Sequence, residues 1–133
     1  VSRRVGQIFI ENSLQNKEIV INGSGKEKLD FTYINDLMEG IRLICVKDQS
    51  KNQIFNITYG EGREVNDLVK ILKTHFPNQK IKYKSKEAFS PERGTLDTSK
   101  AKNILNYKSE FSIEKGYNLY IDWYKNFYST LKE

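Results

Sequence analysis

The chain has 133 residues, enough for one domain with a modest core, and carries a formal net charge of +5. No apolar run approaches the roughly 18 residues a membrane helix needs, and with Cys45 as the only cysteine no internal disulfide can form. These features predict a soluble protein that fits a reducing cytoplasm and favours anionic partners in general.

The chain opens Val1-Ser2-Arg3-Arg4 with no charged-then-apolar leader, so it reads as a processed or cut chain and not as a signal peptide. From about Arg4 to Leu14 the pattern predicts a helix with Val5, Ile8, Phe9 and Asn12 on one side. Ile19-Val20-Ile21 is a short β-branched strand, and Asn22-Gly23-Ser24-Gly25 is turn chemistry. Leu29 to Tyr33 forms a second strand candidate. Ile34, Leu37, Met38, Ile41, Ile44 and Cys45 recur at helical spacing, which predicts a helix over about 35–46 with Cys45 as a small buried hydrophobe.

Asp48 to Asn52 is a polar loop, and Ile54-Phe55-Asn56-Ile57 reads as a strand ended by Gly60-Glu61-Gly62. Val65, Leu68, Val69, Leu72 and Phe76 mark the next helix, closed by Pro77. Lys80, Lys82, Lys84 and Lys86 alternate along a strand, opposite Ile81 and Tyr83. Such a lysine face serves either as protection of a sheet edge or as a basic stripe facing a ligand. Ala88 to Leu96 is a loop with Pro91 and Gly94. Asp97 is placed to cap a short helix through Leu105 by accepting the amides of Ser99 and Lys100. Ser112 caps a last helix whose Ile113, Tyr117, Tyr120, Ile121, Tyr124, Tyr128 and Leu131 form a wide apolar stripe, expected in a core or interface.

Little in this sequence supports chemistry of its own. His75, the only histidine, has no cysteine or acidic ligand pattern near it, so no metal site and no catalytic residue is assigned. Gly23-x-Gly25 and Gly60-x-Gly62 each lack the third glycine of a dinucleotide fingerprint, and both read as turns. Tyr128 and Lys132 match Tyr-x-x-x-Lys, but Tyr128 belongs to the apolar stripe and the pair lies at the chain's end. The pattern as a whole is mixed α/β, with short strands interspersed with helices.

Three segments in order carry a family resemblance. They are Gly23-Ser-Gly25 through Asp30-Phe31, Tyr33 and Asp36 to Ile41; Phe55-Asn56-Ile57 to Gly60 with Val65-Asn66-Asp67-Leu68; and Asp97 to Leu105 with Ser112 to Gly116 and Ile121-Asp-Trp123-Tyr124. Together they resemble the carboxy-terminal part of extended short-chain dehydrogenases/reductases, the NAD-dependent nucleotide-sugar epimerases and dehydratases. The resemblance covers nearly the whole chain. It implies the carboxy-terminal lobe of a Rossmann-type enzyme, spanning residues 1–133, whose amino-terminal half holds NAD(P) and the catalytic Tyr-x-x-x-Lys outside this chain. No cofactor is then expected on this chain itself, which alone would be inactive. The implied partner is a nucleoside-diphosphate sugar of the UDP, TDP, CDP or GDP type, with no nucleic acid and no membrane, and a homodimeric parent is compatible.

The same resemblance assigns substrate contacts. Arg93, in Ser90-Pro-Glu-Arg93-Gly94, matches a family arginine that meets the pyrophosphate, a task suited to a planar bidentate cation. Arg4, with Arg3 as a substitute, falls at a helix start that favours an anion, and Val20 and Asn22 match the strand along the base. The family often has arginine directly before the Asp-Phe pair; here Leu29 stands there, and Lys28 points to the opposite face. Asn22 replaces a frequent aromatic, and Asn106 replaces a frequent glycine after Leu105 in a left-handed cap. Gly116, early in the last helix, implies a close approach of another backbone. Asp30, Tyr33, Asp36 and Asp97 read as mainly structural. Two other readings remain: a stand-alone basic module for nucleotides or nucleic acid, and an interaction domain using the tyrosine-rich helix.

Overall fold

The computed structural model describes residues 4–86 and 93–130. Two compact units divide them, one from 4–27, 64–86 and 117–130, the other from 28–63 and 93–116.

The first unit starts with helix α1 (Val5–Leu14), which buries Phe9, Ile10 and Ser13 and leaves Ile8 exposed. The inward face is therefore rotated from the expected set, and Ser13 enters it because its hydroxyl donates to the Phe9 carbonyl at 2.8 Å. Strand β1 (Ile19–Asn22) buries Ile19 and Ile21 and turns Val20 and Asn22 outward. It pairs in parallel with a later strand of residues Ile81–Lys84, setting Val20 opposite Lys82 and Asn22 opposite Lys84. Between them a helix, Val65–His75, buries Val65, Leu68, Val69, Ile71 and Leu72. Its start is a reciprocal capping box between Glu64 and Asp67. This unit also holds most of the last helix, Ile113–Thr130, along which Tyr117, Ile121 and Tyr124 are buried. Tyr117 donates to the Gly6 carbonyl at 3.0 Å, and Tyr124 donates to the Glu11 carboxylate. Trp123 and Phe127 lie outside that stripe, exposed and stacked at 5.3 Å. Leu131 and Lys132 lie outside the described residues.

The second unit begins with β2 (Lys28–Asp30), shorter than the expected strand; among the described residues it pairs with β3 (Gly62–Glu64). In chain order the elements are α1, β1, β2, α2 (Ile34–Val46), β3, α3 (Val65–His75), β4 (Ile81–Lys84), α4 (Ser99–Leu105) and α5 (Ile113–Thr130). A short 3-10 helix at Asp48–Ser50 lies in the expected polar loop. The core of this unit is Leu43, Ala101, Leu105 and Tyr107, with Ile44, Phe55, Ile57 and Ile104 packed on it.

Two expectations change here. Helix α2 buries Asp36, Gly40 and Leu43. Ile34, Leu37, Met38 and Ile41 are exposed, and so is Cys45, which is therefore not a buried hydrophobe. The reason is Asp36, whose two carboxylate oxygens accept the amides of Glu110 and Phe111 at 2.9 and 3.1 Å and draw that face inward. Residues 54–57 form no strand, since no described segment pairs with them. Phe55 and Ile57 still pack inward, while Ile54 is 86% exposed.

Candidate functional site

The exposed face of the β1–β4 ladder gathers the strand residues singled out in the sequence. In a parallel pair, partners in register point to the same side. Val20 and Asn22 therefore share a face with Lys82 and Lys84, all four exposed. Ile81 and Tyr83 take the other side, where the Tyr83 hydroxyl donates to Asn66 Oδ1 at 3.0 Å. Both uses foreseen for the lysines concern this face, which is basic and lies directly beside Val20 and Asn22. The alternation was readable in the sequence, but the neighbour across the ladder was not.

Arg4 is the N-cap residue of α1 and is exposed. Its side chain makes no capping hydrogen bond, and the first turn of α1 has no acidic residue. A helix N-terminus carries the positive end of the helix dipole, which favours an anion. Arg3 lies outside the described residues.

The loop after β1 does not cradle a phosphate. Gly23 and Gly25 adopt φ of 104° and 75°, the left-handed region open to glycine. The Glu27 carboxylate folds back into this loop and accepts the Ser24 amide at 3.1 Å. Its own amide, and after it those of Ser24 and Gly25, hold that carboxyl below the usual range, against the opposing effect of burial. Asn66 Oδ1 covers Gly25, where an added Cβ would lie 2.1 Å away. In the other glycine pair, Gly60 and Gly62 face Thr98 Oγ1 and Thr95 Oγ1, which a Cβ would meet at 3.0 and 3.1 Å. Each turn is filled by the chain's own side chains, one of them an anion, so neither fits the pyrophosphate of NAD.

Arg93 belongs to the second unit and is exposed at the start of an irregular segment, 93–98. The Leu96 amide donates to Asp30 Oδ2 at 3.4 Å, and Asn56 Nδ2 donates to the Asp97 carbonyl at 2.9 Å. The other oxygen of Asp30 accepts the Gly60 amide at 3.2 Å. Asp97 accepts the Ser99 amide at 2.8 Å and the Ser99 hydroxyl at 3.0 Å; Lys100, expected to share it, does not take part, and Thr98 is the N-cap. Those bonds, the amide first, keep the Asp97 carboxyl below its ordinary value. Residues 87–92, which include Ser90, Pro91 and Glu92 of the arginine motif, lie outside the described residues.

Other expectations concern the frame around these residues. Asn106 takes the left-handed cap at φ 54°, as its position after Leu105 implied. At Gly116 the close neighbour is the ring of Tyr33, 3.1 Å from an added Cβ, and not a backbone. Tyr33 also stacks on Phe111 at 4.7 Å. His75 is tied into a polar contact with Asn118 at 2.6 Å and Lys125 at 3.1 Å, which leaves it a structural part of the first unit. Among the described residues, no group of three or more metal-ligating side chains occurs.

The fold of the chain is similar to part of Rossmann-type epimerases. The structure superposes on UDP-glucose 4-epimerase with UDP-glucose from Thermotoga maritima with a TM-score of 0.85 at 30% identity, covering 95% of this chain and 40% of that one. An epimerase of Methanothermobacter thermautotrophicus superposes with a TM-score of 0.89 at 20% identity, over 98% of this chain and 39% of that one. Residues 2–58 match the model of the NAD dependent epimerase/dehydratase family. UDP-glucuronate 4-epimerase of Thermodesulfobacterium geofontis is 30% identical over 126 residues, 93% of this chain and 38% of that protein. The dTDP-glucose 4,6-dehydratase of Xanthomonas campestris is 24% identical over 128 residues, 88% of this chain and 36% of that protein. The chain spans 26% to 38% of the length of curated relatives that it matches. By these likenesses the chain is related to the NAD dependent epimerase/dehydratase family, and the relatives named here are nucleotide-sugar enzymes.

Proposed function

We propose that this chain is the carboxy-terminal, substrate-binding lobe of a cytoplasmic NAD(P)-dependent nucleotide-sugar epimerase or dehydratase, and that it binds the nucleoside-diphosphate part of the substrate. The reading rests on one observation above all: Val20 and Asn22 project from β1 onto an open face that they share with Lys82 and Lys84. A base lying along the strand needs exposed backbone and small side chains, and its diphosphate needs cations nearby. Arg4 at the start of α1 and Arg93 on its tethered segment carry guanidinium groups, the cations best shaped for phosphate. NAD(P) is assigned to residues outside this chain, since both glycine turns are filled from within. The chain alone then turns over no substrate.

Calorimetric and NMR titration of the chain with UDP, dTDP, NAD and a short single-stranded oligonucleotide tests this. Weak UDP or dTDP binding is expected, with shifts at the Val20 and Asn22 amides and a loss of affinity in Arg93→Ala. Stoichiometric NAD binding would overturn the assignment of the cofactor elsewhere. Tight oligonucleotide binding with a steep salt dependence would replace the proposal with the nucleic-acid module.

A further inference from the structure

The segment that carries Arg93 has no regular structure of its own, yet it is fastened at several points within its unit. The Leu96 amide reaches Asp30 Oδ2, and the Asp97 carbonyl takes the Asn56 side-chain amide. Thr95 and Thr98 close over Gly62 and Gly60, where no Cβ would fit without displacement. Asp30 is bidentate in this arrangement: one oxygen accepts the Gly60 amide in its left-handed turn, at φ 85°, while the other accepts Leu96. One carboxylate therefore locks the turn and the segment to each other.

We infer that Asp30 and Asn56 are positioning residues that fix the Arg93–Thr98 segment and so set where the Arg93 guanidinium stands. The inference rests on the proposed role of Arg93 at the diphosphate. A bidentate arginine clamp depends on direction as well as charge, so an arginine on an untethered segment loses affinity by having to be ordered when ligand binds. The sequence reads Asp30 as mainly structural. The hydrogen bonds give it a more specific task, because its partners are the two backbone amides that join the glycine turn to the arginine segment.

Asp30→Asn separates these roles. The retained carbonyl oxygen still accepts from Gly60, while the new amide group turns a donor toward the Leu96 donor. Asn56→Ala, at an exposed position, removes the second tether with little risk to folding. The measurements are hydrogen exchange at Leu96 and UDP titration, each on the wild-type chain, Asp30→Asn, Asn56→Ala, Arg93→Ala and the Asp30→Asn/Arg93→Ala pair. The expected results are faster Leu96 exchange with unchanged protection at Leu43 and Leu105, and UDP affinity lowered about tenfold in Asp30→Asn. In the Arg93→Ala background Asp30→Asn then causes no further loss, since its effect passes through Arg93. An equal loss in both backgrounds, unchanged Leu96 exchange, or full UDP affinity despite faster Leu96 exchange overturns the inference. A wild-type chain with no UDP binding overturns the nucleotide reading itself and the diphosphate part of this inference with it, while Leu96 exchange still decides whether Asp30 fastens the segment.

Discussion

At Gly40, helix α2 passes so close to Ile57 that a Cβ would lie 2.3 Å from Ile57 Cγ2. Alanine in place of a helical glycine gains about 1 kcal/mol in propensity, whereas overpacking a core costs about 1–3 kcal/mol. Ile57 Cγ2 branches at the β-carbon and cannot swing away as a chain end could, so Gly40→Ala is expected to destabilise by about 1 kcal/mol net. In an Ile57→Ala background the obstruction is gone, and the same substitution is expected to stabilise; urea unfolding of the four proteins reads the reversal. Such contacts were not legible in the sequence, because Ile57 lies outside the helix that carries Gly40, in a segment with no regular structure. Gly116 teaches the same lesson. Its need for space was legible, but the neighbour is the Tyr33 ring. The outward direction of Val20 and Asn22 was legible, because strand alternation depends on local order alone.

The elements themselves were mostly readable, and the exceptions share a cause. Helix α2 and the segment 54–57 were assigned from apolar periodicity, which reports amphipathic character but not the identity of the neighbour. For 54–57 the alternation survives as Phe55 and Ile57 inward, yet a strand needs a paired backbone and none of the described segments supplies it. For α2 the apolar count missed that a carboxylate can be the buried residue when two amides satisfy it. This gives opposite expectations from pattern and from geometry. Asp36→Ala leaves the Glu110 and Phe111 amides unpaired and is expected to cost about 3 kcal/mol. Met38→Lys, on the apolar-looking stripe but 54% exposed, is expected to stay within about 0.5 kcal/mol of the parent. Chemical denaturation of both variants distinguishes the two descriptions. At the end of α4 the left-handed Asn106 was foreseen from the resemblance, and Asn106→Ala is expected to cost about 1 kcal/mol in the same assay.

Among the residues named from the family resemblance, Arg4, Val20 and Asn22 belong to one unit and Arg93 to the other. Family resemblance supplied this set; local pattern supplied only the exposure of each. Stability against pH is also a property of the whole, and here the two limbs have different origins. Glu114 is held below its ordinary value of 4.5 chiefly by hydrogen bonding to Arg63, and Glu39 likewise by Arg42. Asp97 is held below 3.8 chiefly by the Ser99 amide. Each native carboxyl binds its proton less readily than the unfolded one, so their contribution is complete above about pH 4.5 and is lost as pH falls through the lowered values. Since these groups are on the surface, the acid slope is expected to be shallow, and salt should weaken the ion-paired part of it. On the alkaline side Tyr107, whose hydroxyl is buried with no hydrogen-bond partner among the described residues, is pushed up to about 12, by burial first and then by Asp36 and Asp30. The unfolded phenol ionises near its ordinary value of 10, so stability falls as pH rises from there toward about 12. Tyr107→Phe is expected to reduce that alkaline loss. At neutral pH it should leave stability unchanged or raise it by up to about 1 kcal/mol, because a buried hydroxyl without a partner contributes nothing. Urea midpoints from pH 3 to pH 11, for the parent and Tyr107→Phe, test both limbs; a Tyr107→Phe protein markedly less stable at neutral pH would mean that the hydroxyl has a partner after all.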